Sequence, residues 1–173
     1  QMCIRDSSDL MAGEHAVVVQ SDGYLPVSRA VVVRAGEREN LALVLTPAKV
    51  KVTAEKIEIL DKVFFDVDRA TIQVESHPLL DQVAGVLREN PSLELIRVEG
   101  HTDARGSATA NRQLSTLRAQ SVVAYLVGRG IEARRLEAVG FGPDRPLDPS
   151  ETHAAHDRNR RVEFVIVKRS SVP

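Results

Sequence analysis

The chain has 173 residues, 43% of them hydrophobic and 27% charged, and its 23 basic and 24 acidic residues nearly cancel to a net charge of −1. That length suits one ordinary domain plus a fragment, and the charge balance excludes a generic nucleic-acid binder or a polybasic membrane binder. Aromatic residues at 3% exclude a base-stacking platform, the single Cys3 excludes a disulfide framework or a CxxC metal cluster, and no run approaches the roughly 18 apolar residues of a membrane helix. Residues 1–8 come first in chain order. Gln1 to Ser7 has no helical or strand period, no apolar h-region and no lipobox before Cys3. It resembles translated adapter sequence, so residues 1–8 are set aside as an artefactual tail. The natural protein is then expected to extend further upstream, and a missing signal peptide says nothing about export.

Residues 9–48 read as a small antiparallel β-module. Three β-rich runs stand out: Ala16 to Val19, Ala30 to Val33, and the alternating Leu41, Leu43 and Leu45. Turns are expected at Ser21-Asp22-Gly23-Tyr24 and at Ala35-Gly36-Glu37. Residues 49–56 are expected to be a linker. From there Ile57, Ile59, Val63, Phe65 and Val67 share parity and predict a strand interrupted at Asp61. Ser76 before Pro78 predicts a helix start, and Leu79, Leu80, Val83 and Leu87 follow at helical spacing until Asn90-Pro91 stops them. A strand from Leu93 to Glu99, a loop from Gly100 to Gly106, and a helix from Thr109 to Val127 closed by Gly128 and Gly130 come next. A short extended stretch from Arg135 to Val139, a loop from Gly140 to His156 and a last strand at Val162, Phe164 and Ile166 complete the chain, with 169–173 as a tail. The order is β-α-β-α-β-β: an α+β sandwich, one mixed sheet with helices on one face, over 57–168.

The chemistry concentrates at Gly100-His101-Thr102-Asp103-Ala104-Arg105-Gly106-Ser107, where a strand gives way to a helix. Ligand sites in open sheets with helices sit at such strand ends. The helix that follows carries Asn111, Ser115 and Arg118 on one stripe, with Leu114 and Leu117 expected toward the core. Arg118 then stands near Asp103. One reading is a salt bridge between loop and helix. The other is a two-point site for a ligand carrying both an ammonium, which Asp103 would accept from, and a carboxylate, which Arg118 would grip.

Several motifs in fixed order carry a family resemblance. They are Val63-Phe64-Phe65-Asp66, Gly100-His101-Thr102-Asp103, Asn111-Arg112-Gln113-Leu114-Ser115, Arg118-Ala119, Gly140-Phe141-Gly142 and Asn159-Arg160-Arg161-Val162-Glu163. Residues 53–168 resemble the OmpA-like peptidoglycan-binding domain, the C-terminal family of OmpA, Pal and MotB. The resemblance implies non-catalytic binding of the peptidoglycan stem peptide through meso-diaminopimelate, without cofactor or metal. Carried over by motif, Asp103 and Arg118 meet the ammonium and carboxylate of the free diaminopimelate end. Asn111, Arg160, Thr102 and Leu114 complete the site, and Asp66 and Asp68 line its edge. The segment departs from the family at Ala155-His156-Asp157, where Gly-Arg-Ala is usual. The pattern over residues 9–47, with Asp22-Gly23-Tyr24 between Val-x-Val runs, resembles a PEGA-type or carboxypeptidase-regulatory-like module, which implies a non-catalytic spacer.

The family implies a periplasmic location beside the outer membrane, with membrane attachment only through upstream sequence, no nucleic-acid partner, and a homo-oligomer left open. The alternative is a scaffold with the same fold and no wall ligand. A zinc hydrolase built on His101, His153 and His156 is disfavoured: Pro149 to Asp157 lacks helical periodicity, His101 is expected to hydrogen-bond within its loop, and one carboxylate beside one arginine is no acid/base pair. Arg134-Arg135 and the arginines at 158, 160 and 161 read as solvated charge that can also attract an anionic polymer.

Overall fold

A computed structural model describes residues 10–170, so the tail set aside at residues 1–8, Cys3 included, lies outside the described residues. The chain divides into two units after Ala48. In the first, strand β1 (Gly13–Val19) pairs antiparallel with β2 (Val27–Val33), in a register that sets Gly13 opposite Val33 and Val19 opposite Val27. The expected turns form. Tyr24 N–H donates to the Ser21 carbonyl at 3.1 Å, and Glu37 N–H to that of Arg34 at 3.1 Å. The third expected strand does not form. Leu41, Leu43 and Leu45 are half-buried between exposed neighbours, but their backbone joins no ladder among the described residues. That segment is fastened at its end, where Leu25 N–H donates to the Thr46 carbonyl at 2.8 Å and Ala48 N–H to that of Gly23 at 2.8 Å.

The second unit runs β3 (Val50–Val52), β4 (Lys56–Ile59), a 3₁₀ turn (Val74–Ser76), α1 (His77–Glu89), β5 (Leu93–His101), α2 (Ala108–Gly128), β6 (Leu136–Gly142), α3 (His153–Asn159) and β7 (Arg161–Arg169). It is an α+β fold with a five-stranded mixed sheet in the order β3-β4-β7-β5-β6, in which only β5 and β6 are parallel. The stretch 49–56, expected as a linker, instead supplies the edge strand: Val50 pairs with Ile59 and Val52 with Ile57. The strand expected to run on to Val67 stops at Ile59. Leu60 and Val67 are 72% and 85% exposed, and only Phe65 bridges back, to Ile72. Asp61 ends the strand by holding Lys49 through its carboxylate at 2.6 Å and accepting from Lys62 N–H at 2.8 Å.

The core lies between the sheet and α1 and α2. Leu80, Val83, Leu87, Ile96, Val98, Val122, Leu126 and Phe164 are fully buried there. At about 25 cal/mol per Å² of apolar surface removed from water, each stabilises the unit by about 1.5–3 kcal/mol. Ser76 occupies the cap position of α1, but its hydroxyl does not cap the helix; it accepts from Phe64 N–H at 2.7 Å. This bond ties the segment before the site to the helix start. Ser76→Ala should therefore destabilise by about 1–3 kcal/mol, read by urea denaturation; an unchanged midpoint would contradict that assignment.

The stripe of α2 that meets the sheet is Ser115, Ala119, Val122 and Leu126. Leu114 is only half-buried and Leu117 is 53% exposed, which corrects the expectation that these two leucines face the core. The reason is closeness of approach. The Ser115 carbonyl lies 2.2 Å from where a Cβ on Gly100 would stand, and Thr116 Oγ1 lies 2.2 Å from one on Gly140. No leucine fits such a contact.

Candidate functional site

Three devices shape the loop that leaves β5. Thr102 N–H donates to the Gly142 carbonyl at 2.9 Å and fixes the loop to the end of β6. Ser107 caps α2, its hydroxyl accepting from Ala110 N–H. Asn111, on the first turn of α2, donates through Nδ2 to the carbonyls of Asp103 at 3.3 Å and Arg105 at 2.7 Å. Asn111 therefore holds the loop that presents Asp103.

Asp103 is only 6% exposed. Its Oδ2 accepts from Arg160 Nη1 at 2.6 Å and from Arg105 Nη2 and Nε at 2.9 and 3.2 Å. Burial pushes its pKa up, but the hydrogen bonds from Arg105 and Arg160 outweigh burial and hold the carboxyl below its usual value. Arg118 is half-buried on the same side of α2 as Asn111 and Ser115. Its Nε donates to the Arg69 carbonyl at 3.0 Å, and its guanidinium carbon lies 5.0 Å from the centre of the Phe65 ring. Burial lowers its pKa; the Asp68 carboxylate opposes this, Arg160 adds to it, and Asp103 opposes it. The salt bridge between Asp103 and Arg118, one of the two readings of the sequence, does not form: Asp103 is taken by Arg105 and Arg160. Among the described residues no carboxylate stands within ion-pair distance of Arg118.

Arg118 opens onto a cleft of about 180 Å³ that Lys62, Phe65, His101, Asp157, Arg160 and Arg161 also line. Arg160 pairs with Asp157 as well as with Asp103, and Lys62 Nζ donates to the Asp157 carbonyl at 2.7 Å. Four cationic side chains against one lining carboxylate give the cleft a field suited to an anionic group. Of the expected residues only Arg118 and Arg160 line the cleft; Asp103 meets it through its bond to Arg160, and Asn111 stands behind Asp103. Asp66 closes a tight turn, its N–H donating to Thr71 at 3.0 Å, and Asp68 sits in that turn at φ +54°. Thr102 is buried beneath the loop and Leu114 lies on α2. Sequence reasoning did not single out Lys62, Arg105, Asp157 or Arg161 as site residues. Asp157 had a usable signal, since it stands three residues before Arg160 on helical spacing. The loop expected there does contain a helix, α3, with Ala155 fully buried and Asn159 gathering Leu147 and Asp148 N–H groups through Oδ1.

His101 corrects a further expectation. It is 3% exposed and neither ring nitrogen has a hydrogen-bond partner among the described residues, so it does not bond within its loop; its ring stacks on Phe141 at 5.5 Å. Burial, aided by the charge of Arg161, lowers its pKa to about 4. The imidazole is therefore neutral in the folded state where an unfolded one, near 6.5, already takes a proton. Stability should fall as pH drops from about 6.5 to about 4, by up to about 3 kcal/mol. Glu99 opposes this at the acid end, because burial raises its pKa and its protonation favours the fold. Urea denaturation at pH 7 and pH 4.5 checks the sign: His101→Gln should lose less stability between the two than the parent. Glu99, His101 and Glu163 have ligand atoms within 4.8 Å of one another. Both carboxylates are engaged by guanidinium groups, Glu99 by Arg145 at 3.6 Å and Arg97 at 3.9 Å, and Glu163 by Arg161. The trio is thus part of an ion-pair network. His153 and His156 do lie on a helix, α3, but His153 turns to Asp157, with 3.3 Å between Nδ1 and Oδ2.

A family model described as the OmpA family matches residues 64–160, more than half of the chain, and a PEGA domain model matches residues 6–49. Outer membrane protein A of Bordetella avium is 42% identical over 114 residues, which take in 66% of this chain and 58% of that protein. The solved peptidoglycan-associated lipoprotein from Burkholderia pseudomallei aligns with TM-score 0.55 and 32% identity over 61% of this chain and 89% of that one. The cell wall anchor of the T6SS from Pseudomonas aeruginosa aligns with TM-score 0.59 and 30% identity over 70% and 87%. The chain spans less than two thirds of the length of the curated relatives it matches. With the strand-end loop, the Arg118 helix and the Asn159-Arg160 pair all inside the matched region, the chain belongs to the OmpA family.

Proposed function

We propose that this chain is a non-catalytic peptidoglycan-binding module that recognises the diaminopimelate end of the stem peptide in the bacterial periplasm. It would tether the outer membrane or an envelope complex to the wall. The observation that carries the reading is Arg118: a half-buried guanidinium without an ion-pair partner among the described residues, opening onto a cleft beside the buried Asp103. A half-buried cation left unpaired loses solvation without recovering it from a partner, and a ligand carboxylate would supply that partner. Asp103 would take the ammonium of the same ligand, and Arg160, which bonds Asp103, lines the same cleft as Arg118. Relatives whose names place them at the peptidoglycan or as a cell wall anchor support the same reading. Residues 57–168 would be the binding domain and 9–48 a spacer.

The second reading, a scaffold without wall ligand, is favoured by one observation: the Asp103 carboxylate already has two guanidinium partners. Co-sedimentation with purified diaminopimelate-type sacculi separates the two. The binding reading expects the parent chain in the pellet and Asp103→Asn in the supernatant. A folded parent that stays in solution would establish the scaffold.

A further inference from the structure

We propose that Arg105 is an internal stand-in for the ligand's ammonium, a displaceable cation that holds Asp103 until the wall peptide arrives. The inference rests on the binding reading above and adds a regulation of that site. Arg105 and Arg160 share one oxygen of Asp103, but they are held very differently. The Arg160 side chain is 34% exposed and is also tied to Asp157. The Arg105 side chain is 63% exposed, lies two residues from Asp103, and its guanidinium has Asp103 as its partner through both Nε and Nη2. Only the Asp103 end of this ion pair is buried; the Arg105 end stands in water, which screens the pair and weakens it. Its release returns a guanidinium to water, which solvates it well.

An incoming ammonium carries the same charge and offers N–H donors to the same carboxylate. Binding is then an exchange of one cation for another at Asp103, with Arg160 left in place to hold the carboxylate. The exchange opposes ammonium ligands by a common factor, because each must displace the same arm. It does not discriminate between them. Discrimination is left to Arg118, which rewards only a ligand that also brings a carboxylate. The loop backbone need not move, since Asn111 clamps the carbonyls of both Asp103 and Arg105.

The test is calorimetric titration of the full chain with two soluble muropeptides, one ending in meso-diaminopimelate and one in lysine. Arg105→Ala should bind the diaminopimelate form roughly two- to fivefold more tightly than the parent, the span of one ion pair whose cationic arm is in water. Arg105→Lys should fall between them, and the ratio between the two muropeptides should not change. Equal or weaker binding by Arg105→Ala, with the parent still binding, overturns the proposal and makes Arg105 a bystander or a gripping arm. A second readout needs no ligand. The Asp103 carboxyl, followed by NMR across acid pH, should titrate higher in Arg105→Ala than in the parent. An unchanged midpoint means that the contact does not form in solution and overturns the proposal by itself. If that midpoint rises but neither parent nor variant binds either muropeptide, the wall-binding reading fails and the stand-in role fails with it.

Discussion

Arg118→Ala should lower affinity for a soluble diaminopimelate-type muropeptide by roughly 10- to 150-fold, the loss of one charge-assisted contact of about 1.5–3 kcal/mol. The large effect follows from where the guanidinium sits. It is half-buried over Phe65, held at one end by the Arg69 carbonyl, and without a carboxylate partner among the described residues. A ligand carboxylate would meet a cation already oriented and partly desolvated. Arg118→Lys keeps the charge but loses the fork, so it should recover only part of the affinity. The fold should tolerate both changes, because among the described residues the guanidinium supports it mainly through the Arg69 hydrogen bond and the Phe65 ring face. Titration calorimetry beside a thermal melt checks both statements, and a loss of less than twofold with an intact melt contradicts the role given to Arg118.

Gly100→Ala and Gly140→Ala should each destabilise the second unit by about 3 kcal/mol or more, at the upper end of overpacking costs. A thermal midpoint lower by about 10 °C is the corresponding signature for a unit of this size. A Cβ on Gly100 meets the Ser115 carbonyl oxygen at 2.2 Å and its carbon at 2.9 Å; one on Gly140 meets the Thr116 hydroxyl and N–H at 2.2 and 2.3 Å. The obstacles include backbone, so no rotamer change relieves them, and the whole of α2 would have to rise from the sheet. That movement would carry Asn111 and Arg118 away from the loop after β5. The same variants should therefore lose ligand binding even under conditions where they remain folded. A melt within 2 °C of the parent in either variant would show that helix and sheet have room that the geometry denies, since about 1 kcal/mol already moves such a midpoint by several degrees.

The elements with strong periodicity were legible. The apolar spacing from Leu79 to Leu87 and the alternation at Val162, Phe164 and Ile166 translate directly into α1 and β7. What escaped was decided by tertiary contact. Val50 to Val52 looks like linker because three residues carry no period, yet pairing with β4 makes them a strand. Leu41 to Leu45 has the period of a strand and lacks a ladder partner among the described residues. Helix α3 is too short for a periodic signal, and its place rests on Ala155 in the core and on the Thr152 hydroxyl accepting Ala155 N–H at 3.2 Å. At the site, the motifs pointed to Asp103 and Arg118 but not to the partners that surround them. Arg105 could be read as solvated loop charge, and its two contacts to Asp103 depend on a rotamer that no sequence pattern encodes. Ser115 was expected as an ordinary helix residue. It is fully buried, donating to the Arg112 carbonyl and accepting from Gly142 N–H, each at 2.9 Å. Its small size matters because Gly100 and Gly140 bring the strands so close.

The central claim is that the site reads an ammonium and a carboxylate together. Co-sedimentation of the parent chain with two purified walls tests it most directly, one of the diaminopimelate type and one of the lysine type. Lysine keeps the ammonium and lacks the carboxylate that Arg118 would grip. Binding to the diaminopimelate wall, with little or none to the lysine wall at the same ionic strength, is the expected result. Equal binding to both, weakening together as salt rises, would mean that the arginines attract the wall polymer only by charge, and would contradict it.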